Sequence, residues 1–302
     1  RQETISIQGR LSVCMINTPQ NKNNIYRALA TCGGRFAQVF AITFLLATCV
    51  IYFTSHEGRI AAVWPVNAFC VVFLINSSSR LKPGIVLGFS LGLFSANLIV
   101  GDPLLQALLL TGANTAEVLI VASLFTYGRQ PRRISFAAIF KVLAAALAGS
   151  LASSAIAGTG LLISGATLRM QELAIWFAAD MLGLLLFVPM LLSLRSPKSH
   201  LGHLRPDWKF GAMLVSLCAL AFVVFAQSSY PILFLVPGTV VALSFTHGIR
   251  GAAYGMLAVT VISLPFALAD SGPTSLMHTG MSAKILVLQA FLVVNSVLSL
   301  SV

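Results

Sequence analysis

The stretch Trp176 to Pro189 reads Trp-Phe-Ala-Ala-Asp-Met-Leu-Gly-Leu-Leu-Leu-Phe-Val-Pro, and it decides how the chain folds. It lies within an apolar segment, Leu173 to Leu194, whose one charged residue is Asp180. A segment of this length predicts a transmembrane helix. A charged side chain near the centre of a bilayer costs about 2.5–3.5 kcal/mol on insertion scales, so it normally faces a partner or a wet cavity. We therefore expect Asp180 to face the interior of a helical bundle.

The composition of the chain excludes a soluble globular domain. Of 302 residues, 57% are apolar and 9% are charged, and the mean hydropathy is +0.91. These values are typical of a protein with several membrane spans. The net charge of +11 would suit a nucleic-acid-binding protein, but the basic residues fall between apolar segments, as in the cytoplasmic loops of membrane proteins. The sequence therefore predicts an all-α, polytopic helical bundle whose partner is the lipid bilayer, not nucleic acid.

Ten apolar segments follow one another along the chain. The segments that begin at Ile60 and Ile232 are short or contain proline, which is typical of tilted, broken or re-entrant helices. We therefore expect eight to ten transmembrane helices. The ten segments are Phe36 to Phe53, Ile60 to Asn76, Gly84 to Val100, Leu104 to Tyr127, Ile134 to Ile163, Leu173 to Leu194, Phe210 to Ala226, Ile232 to Phe245, Ala252 to Ala269 and Ile285 to Val302.

The basic residues predict the orientation of the chain. Most of the 19 Lys and Arg residues fall in loops on the side of the N-terminus, whereas Arg59, Arg169 and Lys284 fall on the other side. Because Lys and Arg accumulate in cytoplasmic loops, the N-terminus is predicted to be cytoplasmic. An even number of spans returns the C-terminus to the cytoplasm. The predicted localisation is the inner (plasma) membrane of a bacterial cell, crossed many times.

The chain divides into two predicted regions. Residues 1–35 are polar and basic, which predicts a cytoplasmic lead-in that is partly disordered. Residues 36–302 form the integral membrane domain. Its last segment, Ile285 to Val302, has no Lys, Arg, Trp or Gly to close it, although a span normally ends at an interfacial anchor. We therefore expect the natural chain to continue into a cytoplasmic output domain.

Polar residues interrupt several apolar segments. Asn114 and Glu117 are three residues apart, and Trp176 and Asp180 are four apart, so each pair shares one helix face. Such residues serve either as hydrogen-bonding contacts between helices or as a functional site, and their recurrence in separate segments favours a site. The predicted ligand-binding or sensing residues are Asp180, Glu117, Asn114, Trp64, Asn67, Asn97 and Trp176.

The fifth segment carries a stripe of small residues with a cation at its end. Ala145, Gly149, Ser153 and Ala157 follow Lys141 at intervals of four residues. A stripe of this kind lets another helix approach closely. Lys141 either extends its amine to the headgroup region or acts as a charge partner of Glu117.

Motifs for catalysis and for metal or cofactor binding are missing from the sequence. It contains no phosphate-binding loop, nucleophile elbow, zinc-protease motif or dinucleotide fingerprint. The five cysteines do not show a metal-binding spacing, and His200 and His203 have no neighbours that could complete a coordination shell. We predict no catalytic residue, no metal and no cofactor in this segment.

Four motifs follow one another along the membrane domain: Trp64-Pro65, Arg80-Leu-Lys82-Pro83-Gly84, Asn114-Thr-Ala-Glu117 and the run from Asp180-Met-Leu-Gly183 to Pro189. In their order and spacing, the sequence resembles the first of the bacterial membrane-associated sensor (MASE) domain families from about Ala37 to Val302. It departs from the family pattern in Val66-Asn67 and in its ten candidate spans. The resemblance implies a membrane sensor domain that precedes a cytoplasmic output module, most often a diguanylate cyclase and sometimes a histidine kinase.

The leading functional hypothesis is a sensory input domain of a bacterial signalling protein. A small ligand or a proton at the polar site would change the last transmembrane helix and so control output, most simply the synthesis of cyclic di-GMP by a homodimeric cyclase. Two alternatives stay open. A proton-coupled secondary transporter would use Glu117 and Asp180 as a relay, and a ligand-free membrane anchor would use them only for helix packing.

Overall fold

The computed structural model of the chain describes residues 19–54, 61–126, 136–165, 169–195 and 208–302. Every regular element in these ranges is helical, which confirms the predicted all-α class. Eight of the described segments are long and apolar enough to cross a membrane, so the chain is a multi-pass membrane protein. Residues 1–18 and the loop with His200 and His203 lie outside the described ranges, and the expectations for them stay predictions.

The helices follow the ten predicted segments. The first helix, α1 (Pro19–Thr54), begins inside the predicted lead-in. The long helical segment Leu235–Leu268 is divided at Gly248 into α8 (residues 235–247) and α9 (residues 249–268). The others are α2 (Val66–Ile75), α3 (Lys82–Val100), α4 (Leu104–Thr126), α5 (Phe136–Ile163), α6 (Met170–Arg195), α7 (Trp208–Ala226) and α10 (Met281–Leu300).

The second pass of the chain is broken. Residues 61–65 are not helical, and the ten-residue helix α2 follows them. The Trp64 N–H donates to the carbonyl of Ala179 at 3.1 Å, and the ring of Phe69 lies 6.3 Å from that of Phe187, so this pass runs alongside α6 in the same direction. Pro65 explains the break, because proline lacks an N–H and disfavours helical conformation in the preceding residue. A break here agrees with the prediction for the segment that begins at Ile60.

α8 and α9 form a hairpin. Gly248 has φ 58° and ψ −146°, a conformation that a residue with a Cβ rarely adopts. A side-chain methyl of Leu243 lies 3.1 Å from where a Cβ would stand on Gly255. In a straight helix these twelve residues would separate the two positions by about 18 Å. The segment therefore folds back on itself between the two apolar segments that the sequence predicted, Ile232 to Phe245 and Ala252 to Ala269.

The order of contacts along α7 supports the hairpin. The Phe210 ring lies 6.1 Å from that of Tyr254, and the Phe222 ring lies 5.5 Å from that of Phe266. From the first contact to the second, the chain advances by twelve residues on α7 and by twelve on α9, so these two helices run in the same direction. α8 must therefore run in the opposite direction between them.

A glycine stripe on α3 brings this helix against α1. A Cβ on Gly84 would lie 2.8 Å from the Cys32 sulfur, and one on Gly92 would lie 2.7 Å from the Phe40 carbonyl oxygen. Midway between them, a Cβ on Gly88 would lie 2.6 Å from the Phe36 carbonyl oxygen. Small residues at this spacing let two membrane helices approach closely. Since the contacts advance together along both helices, α1 and α3 are parallel, and the broken second pass returns the chain between them.

The passes alternate in direction, so the bundle has two distinct ends. We call one the basic end and the other the acidic end. Which side of the membrane each end faces stays a prediction, with the basic end expected in the cytoplasm. The basic end carries Arg80, Lys82, Lys141, Lys209 and Arg250, and the acidic end carries Asp102, Glu172 and Asp270.

The hairpin predicts a labelling pattern that a single long helix would not give. In a cysteine-free background, Arg250→Cys should react with a membrane-impermeant maleimide from the same side as Arg80→Cys, and Thr279→Cys from the opposite side. All three positions are exposed. Labelling is measured in right-side-out and inside-out vesicles. If Leu235–Leu268 were one span, position 250 would lie at membrane depth and would stay unlabelled from both sides.

Candidate functional site

The break in the second pass places polar groups at the centre of the bundle. α2 begins there, directly after Pro65, so the positive end of its dipole lies inside the protein. Asn67 is the second residue of α2 and is fully buried. The indole N–H of Trp64 donates to Oδ1 of Asn67 at 3.2 Å. A helix start at this depth leaves donors that must be satisfied within the protein.

Gly183 allows the broken segment to pass against α6. A Cβ on Gly183 would overlap the carbonyl group of Trp64. One helical turn earlier, the carbonyl of Ala179 accepts the Trp64 N–H at 3.1 Å. The two backbones therefore touch, and any bulkier residue at position 183 would separate them.

The amide of Asn67 connects α2 with α4. Its Nδ2 donates to Oδ1 of Asn114 at 2.8 Å and to Oε2 of Glu117 at 2.6 Å. Asn114 in turn donates from its own Nδ2 to the carbonyl of Leu110 at 2.9 Å. Both hydrogens of the Asn67 amide are therefore used. The predicted pair Asn114 and Glu117 does share one helix face, and that face meets the start of α2.

Two serines of α5 connect α4 with α6. Ser150 donates to Oε1 of Glu117 at 3.0 Å, and Ser153 donates to Oδ2 of Asp180 at 2.9 Å. The hydroxyl of Ser153 also accepts the indole N–H of Trp176 at 3.2 Å. The two serines are three residues apart, so one turn of α5 supplies a donor to each carboxyl group.

The carboxyl groups of Glu117 and Asp180 lie within hydrogen-bonding reach of each other. An ionised carboxyl group only accepts hydrogen bonds, so a bond between two of them requires a proton on one. Glu117 is 0% exposed and Asp180 is 2% exposed. Asp180 therefore faces Glu117 in the interior of the bundle, and because two adjacent carboxylates would repel each other, we expect one of the two groups to be protonated.

We call this set of connected side chains the carboxyl network. It lies near the middle of α4, α5 and α6, far from both ends of the bundle. Its members bond to one another in a continuous series that begins and ends at an indole, and its carboxyl groups can take up or release a proton. The carboxyl network consists of Trp64, Asn67, Asn114, Glu117, Ser150, Ser153, Trp176 and Asp180.

Two predicted residues lie outside this network. Asn97 is buried and donates to the Thr111 hydroxyl at 3.5 Å, one turn of α4 before Asn114. Lys141 donates to the carbonyl of Phe125 at 2.9 Å, in the last turn of α4, where a cation is favoured by the helix dipole. Lys141 and Ser150 are nine residues apart, which is about 13 Å along the axis of α5. Lys141 thus does not contact Glu117 in the described structure, and the contacts of Glu117 are with Asn67, Ser150 and Asp180.

The small-residue stripe of α5 packs as predicted. Ala145, Ser153 and Ala157 are buried, and a Cβ on Gly149 would overlap Val121 and approach the side chain of Glu117. The stripe thus lets α5 reach the carboxyl pair. No three His, Cys, Asp or Glu side chains among the described residues lie together as metal ligands.

Three residues of this region were not predicted as parts of the site. Serine is common in membrane helices and carries no charge, so Ser150 and Ser153 did not stand out in the sequence. Ser153 was assigned only to the packing stripe. Their spacing of three residues in the middle of a span was the available signal. Gln289, in α10, was also missed. It is buried, and its Nε2 donates to the carbonyls of Ala62 and Ile175 at 2.8 and 3.2 Å.

Comparison with known families matches most of the chain to a family of membrane domains. The family model MASE1 matches residues 36–302. This range includes every member of the carboxyl network and all helices from α2 to α10. No curated protein and no solved structure matches the chain.

The close approach at Gly183 predicts a strong effect of one methyl group. Gly183→Ala should lower the midpoint of thermal unfolding in detergent, because overpacking of this kind typically costs about 1–3 kcal/mol. The matched control is Gly112→Ala, on the exposed face of α4, where no atom lies within 4 Å of the added Cβ. There the higher helix propensity of alanine should leave the midpoint unchanged or raise it. Equal midpoints for the two variants would contradict the described contact.

Proposed function

Since the chain belongs to the MASE1 family of membrane-associated sensor domains, we propose that it is the sensory input domain of a bacterial signalling protein in the inner membrane. A sensory membrane domain is not itself a catalyst, so the enzymatic activity would lie in an output domain. We propose a cytoplasmic diguanylate cyclase, which makes cyclic di-GMP, as that domain. A histidine kinase is the second choice within the same role.

The carboxyl pair is the observation that carries the proposal. Glu117 and Asp180 touch at the centre of the bundle, and their hydrogen-bond donors come from α2 and α5. Charged groups at this depth are costly, so they are typical of functional sites in membrane proteins. A change of charge on the pair would act on four helices at once, which is what an input site requires.

A proton is the stimulus that suits the carboxyl network best. The side chains of the network already satisfy one another, so a larger ligand would have to displace several of these hydrogen bonds. A proton changes only the number of donors and the charge of the pair. Loss of the shared proton would leave two carboxylates in contact, and they would repel each other. A small ligand that binds one helix arrangement is the alternative stimulus.

The signal would leave the domain through α10. For a stimulus to change the output, it must favour one of two arrangements of the helices. A shift of α10 relative to α6 would change how two output domains meet, so we propose that the full protein acts as a homodimer. The coupling energy in such systems is typically about 1–3 kcal/mol.

Proton-coupled transport is the second candidate function. The broken second pass favours it, since many secondary transporters place interrupted helices and acidic residues at the bilayer midplane. The two halves of the sequence do not show a clear inverted repeat, which favours the sensor. Proton-driven uptake by proteoliposomes that contain only this segment would replace the sensor proposal with transport.

Neutral variants of the pair test the proposal. Asp180→Asn and Glu117→Gln should each shift the dependence of output activity on pH, because one carboxyl group remains without its partner. The double variant should remove this dependence, because no carboxyl group is left in the network to exchange a proton. If the proton is the stimulus, the wild-type output should change by about 5–150-fold across the titration, as expected for 1–3 kcal/mol of coupling. Output is measured in the full-length protein in vesicles.

Glu172→Gln is the matched control. Glu172 lies in the first turn of α6, at the acidic end and outside the carboxyl network. This variant should keep the wild-type pH dependence. If Asp180→Asn and Glu117→Gln fold and also keep it, the pair only joins helices, and the ligand-free anchor becomes the better account.

A further inference from the structure

Gln289 ties the last helix to the two elements that hold the carboxyl network. It is the ninth residue of α10 and is 1% exposed. Its amide Nε2 donates one hydrogen bond to the carbonyl of Ala62 at 2.8 Å and another to the carbonyl of Ile175 at 3.2 Å. The first carbonyl belongs to the non-helical part of the second pass, and the second belongs to α6.

Both carbonyls stand next to the tryptophans that end the carboxyl network. Ala62 comes two residues before Trp64, and Ile175 comes immediately before Trp176. The second pass and α6 are also joined directly, by the hydrogen bond from the Trp64 N–H to Ala179. A change in the distance between these two elements would therefore lengthen or break one of the two hydrogen bonds of the Gln289 amide.

The other polar side chains of α10 make different contacts. Asn295 donates to the carbonyl of Phe291 at 2.7 Å, and Ser296 donates to that of Leu292 at 2.7 Å, so both bond within their own helix. Lys284 pairs with Asp270 at 2.6 Å, at the acidic end. Among the described side-chain hydrogen bonds of α10, only those of Gln289 reach the second pass and α6.

The amide oxygen of Gln289, Oε1, is buried and lacks a hydrogen-bond donor among the described residues. A buried amide oxygen without a donor disfavours the arrangement in which it occurs. The free-energy gap to a position of α10 in which this oxygen gains a donor is correspondingly smaller, and a switch requires a small gap of this kind.

We propose that Gln289 is the positioning residue that transmits the state of the carboxyl network to α10. This inference rests on the proposed sensory function and adds the element that carries the signal out of the site. Gln289 does not touch either carboxyl group in the described contacts. It acts through the backbone carbonyls beside Trp64 and Trp176.

Distance measurements between two spin labels test this role. The labels are placed at Arg80 and Val302, both exposed at the basic end, through an unnatural amino acid that leaves the cysteines in place. Asp180→Asn, which changes the carboxyl pair, should shift the mean distance by about 1–2 Å, the size of helix movements in other switching proteins. With Gln289→Met added, the shift should disappear. Methionine has a similar volume but no amide donor.

Two further variants keep the test decisive. Gln289→Asn retains the amide but is one methylene shorter, so it cannot reach both carbonyls and should also abolish the shift. Asn295→Leu removes a buried amide of α10 that bonds only within its own helix, and it should leave the shift intact. The thermal unfolding midpoint of every variant is recorded, so that a misfolded protein is recognised.

The outcomes separate the two proposals. If Asp180→Asn shifts the distance equally with glutamine and with methionine at position 289, Gln289 is not the transmitting residue, although the sensory function stands. If Asp180→Asn leaves the distance unchanged even with Gln289 in place, the proposed sensory function itself is contradicted. A shift that is lost in both Gln289 variants and kept in Asn295→Leu supports the role of Gln289.

Discussion

The close approach of the carboxyl groups of Glu117 and Asp180 is the constraint on which the centre of the bundle depends. Two acids in the middle of a membrane bundle are tolerable only if they share a proton and if protein donors replace water. Asn67, Ser150 and Ser153 provide those donors at 2.6, 3.0 and 2.9 Å. This requirement is met by α2 and α5, which supply the donors, and by α6, which carries Asp180.

The requirement also explains why the second pass is broken. A continuous helix at this place would satisfy its own backbone groups, and Asn67 would stand in mid-helix without the dipole of a helix start. Pro65 interrupts the helix, and Gly183 leaves room for the freed backbone to bond to α6. The break is therefore costly in isolation, but it brings a helix start, an amide and an indole to the acid pair.

The sequence predicted most of the fold, because the relevant signals are local. Apolar length and basic loops give ten segments, and even the hairpin at Gly248 was visible as two separate segments. The acids were found because charge in an apolar span is rare. The partners of the acids were harder to identify. Ser150, Ser153 and Gln289 are uncharged, and their roles depend on which helices meet, which no local pattern specifies. The parallel packing of α1 and α3 on the glycine stripe was missed for the same reason.

The most direct test of the account is infrared spectroscopy of the purified protein in lipid, in the region of the protonated carboxyl stretch. If the pair shares a proton, the spectrum should contain a buried protonated carboxyl band that is lost or shifted in Asp180→Asn and in Glu117→Gln and is retained in Glu172→Gln. If the wild type has no such band, the two groups do not share a proton, and the carboxyl pair cannot be the centre of the site.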